Sequence, residues 1–471
     1  MKKRIIALLC LLVMAVSLTA VGCQEKVVAF ERGTPVPYYS VKWRGLDEDE
    51  FYISGFIGPQ DFYAGIGYRL PSLITDEAYA KLAECGINNI EDQRFDAESE
   101  VASRALPLAA KYGITYTLPC DSILDTDFTG VNDRPEDAHI GTQEEITAKM
   151  EELMAKYENL NGFHLRDEPT SNCFPYLNEA VEKVETGREE LGVEGFHGYI
   201  NSFPGVGWNQ LSNGTDPEMN WDKYLRGICD TGIDFLSWDG YPFTNVPGEI
   251  QSTWLNGLGT VKRMANEYKI PCYVWIQCGG HLPFFSTSHR VVNEGEMNWN
   301  VGSALCFGYT GIGYYTLVTP PEGANQSEEY VNNDSILNKY GSKTPFFYYA
   351  KKINAQIQAM APVLLHSAWE GIMIDNLTSP NVYTGPEILE EYRCFEGFSG
   401  DSALIGCFDY EGTVALVVMN NSIENHHAVV TLEFDHNYEY EVTQRAQKAT
   451  VSGKEFSLHL EAGEFALVVV Q

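Results

Sequence analysis

Apolar and polar positions follow two rhythms along this chain, and the change comes near residue 362. Before it, short β-branched and aromatic runs alternate with longer stretches of helical period. The runs fall at 51–57, 87–91, 114–119, 162–168, 195–201, 234–239, 272–277 and 311–317. Helical stretches lie between them at 76–85, 97–112, 142–157, 178–191, 219–231, 253–268 and 294–307, and a last one spans 346–360. Glycine follows several of the helices, as in Cys85-Gly-Ile and Thr231-Gly-Ile, where a left-handed helix end favours a residue without Cβ. Eight such alternations predict a (β/α)8 TIM barrel. A doubly wound open sheet is the alternative, but it usually carries a glycine-rich phosphate turn after its first strand, and Gly55-Phe-Ile-Gly58 is not one. From Tyr392 onward the period becomes two, with turn residues such as Tyr410-Glu-Gly and Asn420-Asn-Ser between the runs. That pattern predicts an antiparallel β-sandwich. The expected organisation is a leader over 1–22, a tether over 23–48, a barrel over 49–362 and a sandwich over 363–471.

The net charge of −33 argues against nucleic acid as a partner, because a binder must neutralise phosphates with lysine and arginine. The first residues read as an address. Lys2, Lys3 and Arg4 precede an apolar stretch from Ile5 to Val16, and Ala20-Val-Gly-Cys23 follows as a small-residue cleavage site. This order resembles the lipobox of bacterial lipoproteins, which implies lipidation of Cys23 and a place on the extracellular face of the membrane, held by the lipid alone. An ordinary signal peptide is the other reading. The apolar run is too short for a lasting transmembrane helix. Of the eleven cysteines, the nine beyond Cys10 and Cys23 lack short regular spacing, so neither a disulfide framework nor a zinc site is expected. No cofactor and no metal are expected.

The richest segment is Asn161-Gly-Phe-His-Leu-Arg-Asp-Glu-Pro169. Strand alternation puts His164, Arg166 and Glu168 on one face, and Phe163, Leu165 and Asp167 on the other. The polar face should line the barrel, leaving Glu168 as the last inward residue before Pro169 ends the ladder, where barrel enzymes place catalytic groups. An arginine–glutamate pair plugging the barrel is the structural alternative. Asp167 is expected to point outward, and His164 and His197 to be hydrogen-bonded interior residues. The other strand ends offer Asp121, Asn201, Asp239, Tyr241, Trp275, Gln277 and Tyr315. Aromatic faces, amides and carboxylates together suit a sugar, and glycoside hydrolysis needs one carboxyl as acid and another as nucleophile or base. No GxSxG elbow supports a serine hydrolase.

Asp167-Glu168-Pro169, Asp239-Gly-Tyr-Pro, Trp275 and the sandwich after Ala361-Pro-Val resemble the glycoside hydrolase superfamily, in particular β-galactosidase-like barrels of bacterial lipoproteins. The resemblance implies Glu168 as general acid/base. It also implies a strand-seven glutamate as nucleophile, and here that position is Gln277. Three readings follow: Asp239 supplies the second carboxylate, Glu294 or Glu296 reaches in from the next segment, or the protein binds glycans without cleaving them. The expectation is a hydrolase of oligo- or polysaccharide with Glu168 and Asp239 as its pair. Asp121, Asn201, Tyr241, Trp275, Gln277 and Tyr315 should surround the sugar. A catalytically silent glycan-binding lipoprotein is the alternative.

Overall fold

A computed structural model describes residues 26–61, 63–64, 68–69, 71–125, 139–244, 250, 253–279, 289–319, 335–375 and 381–471. The leader and Cys23 lie outside the described residues. Eight strands alternate with eight helices: β1 Tyr52–Phe56, α1 Asp76–Glu84, β2 Asn89–Glu91, α2 Glu100–Ala110, β3 Thr115–Leu118, α3 Gln143–Lys156, β4 Leu160–Asp167 and α4 Phe174–Leu191. The second half continues with β5 His197–Ser202, α5 Trp221–Cys229, β6 Leu236–Asp239, α6 Thr253–Tyr268, β7 Cys272–Gln277, α7 Glu294–Cys306, β8 Gly311–Tyr315 and α8 Pro345–Leu364. The strands close as β1-β8-β7-β6-β5-β4-β3-β2. This is the TIM barrel that the alternation predicts.

The closure depends on side-chain size across neighbouring strands. On β7, Val274 and Ile276 pack outward against the helices, whereas Tyr273 and Trp275 point inward and cluster with Tyr52, Tyr199 and Phe235. The register pairs Tyr273 with Gly311 and Trp275 with Gly313. A Cβ on Gly311 would approach Tyr273 to 2.3 Å, and one on Gly313 would approach Trp275 to 2.5 Å. Glycines on β8 therefore make room for two large inward rings on β7.

The C-terminal unit comprises β9 Ser367–Ile374, β10 Phe395–Gly400, β11 Ala403–Tyr410, β12 Thr413–Asn420, β13 Ala428–Gln444, β14 Gln447–Leu460 and β15 Phe465–Val470. Its strands pair antiparallel as one seven-stranded sheet rather than as two separate ones. β13 joins both halves: Phe434 and the residues before it pair with β10, Tyr440–Thr443 pair with β15, and an irregularity separates the two stretches. Phe434, Tyr440, Leu416, Val418 and Val468 then share one core. The other face of β11, β12 and β15 packs on the barrel through α7, which explains why that helix is buried on nearly all sides. Trp299 is fully buried in this packing, and its Nε1 donates to Asn421 Oδ1 at 2.9 Å.

The segment expected as a tether is docked from Val28 onward, which corrects that expectation. Val28 N donates to Asn437 O and Gly33 N to Gly412 O on the C-terminal unit, and Arg44 N donates to Gly195 O on the barrel. Trp43 plugs the N-terminal end of the barrel, stacked on Tyr52 and donating to the Tyr273 hydroxyl at 3.1 Å. Its burial outweighs the entropy of a free linker. The nine cysteines beyond the leader are buried.

Candidate active site

Strand β4 does not keep strict alternation. Its register against β5 runs His164 with Tyr199, Arg166 with Ile200 and Asp167 with Asn201, with a shift between His164 and Arg166. A bulge adds one residue and reverses which side chains face inward. Asp167, expected outward, therefore points into the mouth with Asn201. Arg166 pairs with Ile200, whose side chain belongs to the outer core. Glu168 follows with φ of +45°, a left-handed conformation uncommon for a residue with a Cβ. Its backbone N–H is held by Asn201 O at 2.9 Å. Such backbones cost on the order of 1–3 kcal/mol and gather at functional sites. The bulge and the turn together bring two consecutive carboxylates to one opening.

Glu168, Asp239, Asn201, Tyr241, Trp275 and Tyr315 line a single cavity of about 190 Å³, joined by Phe56, Glu91 and Asp167. The rim divides by chemistry. From β1, β7, β8 and the turn after β6 come Phe56, Trp275, Tyr315 and Tyr241, with Phe56 stacked on Tyr315 at 5.8 Å and Tyr241 at 5.4 Å from Tyr315. From β2, β4, β5 and β6 come the acids and Asn201.

A directional hydrogen-bond chain sets the amide of Asn201. Trp275 Nε1 donates to the Tyr199 hydroxyl at 3.0 Å, and Ser237 Oγ donates to Asn201 Oδ1 at 3.0 Å. The Tyr199 hydroxyl lies 2.7 Å from Ser237 Oγ. The Asn201 Nδ2 group then faces Asp167 Oδ1 at 3.0 Å and Asp239 Oδ1 at 3.3 Å. Gln93 donates to the other oxygen of Asp167 at 3.2 Å.

Glu168 and Asp239 share this cavity, and their carboxyl groups are electrostatically coupled. Burial, then the charges of Asp239 and Asp167, hold the Glu168 carboxyl well above the usual carboxylate range. Burial and the charge of Asp167 push Asp239 up to about 7, against the opposing hydrogen bonds from Asn201 and Glu168. The pair therefore keeps a proton above the pH at which isolated carboxyls lose theirs. A proton donor next to a poised carboxylate is the equipment of general acid catalysis.

Other expected residues go elsewhere. Gln277 does not line the cavity. Its amide donates to Phe243 O at 3.0 Å and Arg290 O at 2.9 Å, and its oxygen accepts from Phe243 N at 2.9 Å, so it clamps two loops. Asp121 lines a neighbouring cavity of about 110 Å³, which meets the first only at Asp167. Glu296 caps α7 with Asn293 and pairs with Arg290, while Glu294 pairs with Lys352 at 2.7 Å. Neither reaches the acid pair, because both serve the helix start. His164 is interior, with Nδ1 at 2.9 Å from Glu91 Oε1. Glu91 was missed, although it is the inward end residue of its strand and the strand-end rule applied to Glu168 finds it.

One cluster among the described residues has metal-ligand geometry, Glu185, His197 and Asp234. A guanidinium already occupies the cation's place: Arg188 pairs with Glu185, and its Nη1 lies 2.9 Å from Asp234 and 3.2 Å from His197. His197 also contacts Lys42 O at 2.7 Å, holding the docked N-terminal segment.

No protein-family model matches the chain, and no curated protein does. Among solved structures it is similar to an Anoxybacillus α-amylase, at 12% identity and TM-score 0.48 over 90% of this chain and 98% of that one. A structure described as a glycoside hydrolase gives 11% and 0.46 over 92% and 98%. A β-galactosidase from the psychrophilic Marinomonas ef1 gives 11% and 0.45 over 67% and 61%.

Proposed function

We propose that this protein hydrolyses glycosidic bonds, with Glu168 as general acid/base and Asp239 as the second carboxylate. The observation that carries the reading is the placing of Glu168 and Asp239 together in a cavity walled on its other side by Phe56, Tyr241, Trp275 and Tyr315. Aromatic faces take the apolar side of a pyranose, and the acids take its hydroxyls and its scissile oxygen. Retaining glycosidases hold their carboxyls roughly 5–5.5 Å apart and inverting ones about 6.5–9.5 Å, to admit a water. Two carboxyls close enough to couple electrostatically stand nearer the retaining arrangement. Asp239 is then the nucleophile, and retention of anomeric configuration is the expected outcome.

The test is a panel of p-nitrophenyl glycosides and natural oligosaccharides, with the first-formed anomer followed by proton NMR. Hydrolysis with retention supports the reading. Inversion removes Asp239 as nucleophile, and sugar binding without turnover hands the site to a glycan-binding role. The order of basic, apolar and small residues before Cys23 supports action at the cell surface on a lipid anchor. Cys23→Ala should release the protein from membranes, and unchanged partitioning would contradict the anchor.

A further inference from the structure

A second cavity, about 830 Å³ in volume against about 190 Å³ for the one holding the acid pair, opens where α7 and α8 meet the C-terminal unit. Glu294 begins α7, and Tyr348 stands in the first turn of α8. Those helices follow the ends of β7 and β8, so the cavity lies toward the same end of the barrel as Glu168 and Asp239. Arg445, in the turn between β13 and β14, and Glu464, just before β15, close it from the sheet side.

Its walls combine one exposed ring with paired charges. Tyr348 is 55% exposed, yet an edge-to-face contact with Phe347 at 5.3 Å holds its ring in place. Ile353 and Phe465 extend the apolar side. On the polar side, Lys352 meets Glu294 at 2.7 Å and Arg445 meets Glu464 at 2.7 Å. With Lys351 and Glu461 the lining counts three acids against three bases, a neutral patch on a chain of net charge −33. An ionic ligand finds no excess of opposite charge there. A neutral ligand rich in hydroxyls finds partners of both kinds, because each ammonium keeps spare protons and each carboxylate spare lone pairs. Asn298 adds an amide that donates and accepts. Pockets of about 300–1,000 Å³ enclose drug-sized ligands, so a few sugar rings fit.

We propose that this cavity is a second glycan-binding site, in which a neutral oligosaccharide segment stacks on Tyr348 and hydrogen-bonds the ion-paired side chains. Held there, a polymer is anchored at the end of the barrel that carries the acid pair. That consequence rests on the glycosidase reading, whereas the binding itself does not.

The experiment is affinity electrophoresis through gels containing amylopectin, galactomannan, xyloglucan or laminarin, with polygalacturonate as the acidic comparison. At least one neutral polymer should retard wild type. Tyr348→Ala should raise the apparent Kd for that polymer by about tenfold or more, and Tyr348→Phe, which keeps the ring, should stay within about twofold of wild type. On a p-nitrophenyl glycoside Tyr348→Ala should leave kcat/KM unchanged, while KM for the polymer rises by the same factor as Kd. If wild type hydrolyses no glycoside, the glycosidase reading fails separately and retardation alone decides the site. Retardation by no neutral polymer, or by polygalacturonate alone, overturns the proposal, as does equal retardation of wild type and Tyr348→Ala. A dimer in analytical ultracentrifugation that Tyr348→Ala dissociates would assign the cavity to a second copy of the chain and overturn it too.

Discussion

Strand β6 has an aspartate near each end, and the two live in opposite electrostatic worlds. Asp234, just before the strand, contacts His197 Nδ1 at 2.6 Å and Arg188 Nη1 at 2.9 Å. Burial pushes it up, but the hydrogen bond and charge of His197 and the charge of Arg188 outweigh that and hold it down at about 2. Asp239, at the other end, meets Glu168 and the charge of Asp167, with no ion-pair partner among the described residues, and rises to about 7. Each end brings acids together within the fold. Only the N-terminal end supplies the cation that makes such a cluster structural. Leaving the C-terminal cluster uncompensated opposes folding, and the arrangement makes sense as a proton-transfer device.

The largest expected effect tests the uncompensated end. Glu168→Gln and Asp239→Asn should each cut kcat on unactivated glycosides by roughly 10²–10⁴. Combining them should cost far less than the product of the two losses, since the residues act as one unit. Full activity in either single variant would break the assignment.

The compensated end should respond the other way. Arg188→Met leaves the half-buried Glu185 and Asp234 beside each other without their guanidinium. It should cost about 1–3 kcal/mol in denaturant unfolding while leaving kcat per folded molecule within about twofold. A large activity loss in a stably folded variant would erase the contrast between the two ends.

A subtler shift concerns Asp167, whose charge raises both members of the pair. Activity should rise with pH as Asp239 loses its proton near 7, and fall at higher pH once Glu168 does. Removing a negative neighbour favours ionisation of both groups, so Asp167→Asn should move both limbs of the profile to lower pH, by about one unit. Movement to higher pH, or of one limb alone, would show that Asp167 acts otherwise.

How far the sequence disclosed this follows from what each feature depends on. The barrel was legible because its strands and helices are written in local period, and Glu168 and Asp239 were legible as polar residues ending apolar runs. Asp167 was misplaced because the bulge between His164 and Arg166 depends on register with β5, a non-local pairing. The docked N-terminal segment was misread because Trp43 is explained only by the barrel end it fills. Gln277 was expected at the sugar from the family position of its residue, whereas loop backbone at Phe243 and Arg290 uses its whole amide.

The central claim is that Asp239 is the poised nucleophile and Glu168 its proton donor. Its most direct test is to inactivate wild type with the 2-deoxy-2-fluoro glycosyl fluoride matching its best substrate, and to locate the label by peptide mass spectrometry. The account predicts one covalent sugar, carried on Asp239. A label on another carboxylate, or steady hydrolysis of retained-anomer substrate with no trapped intermediate, would contradict it.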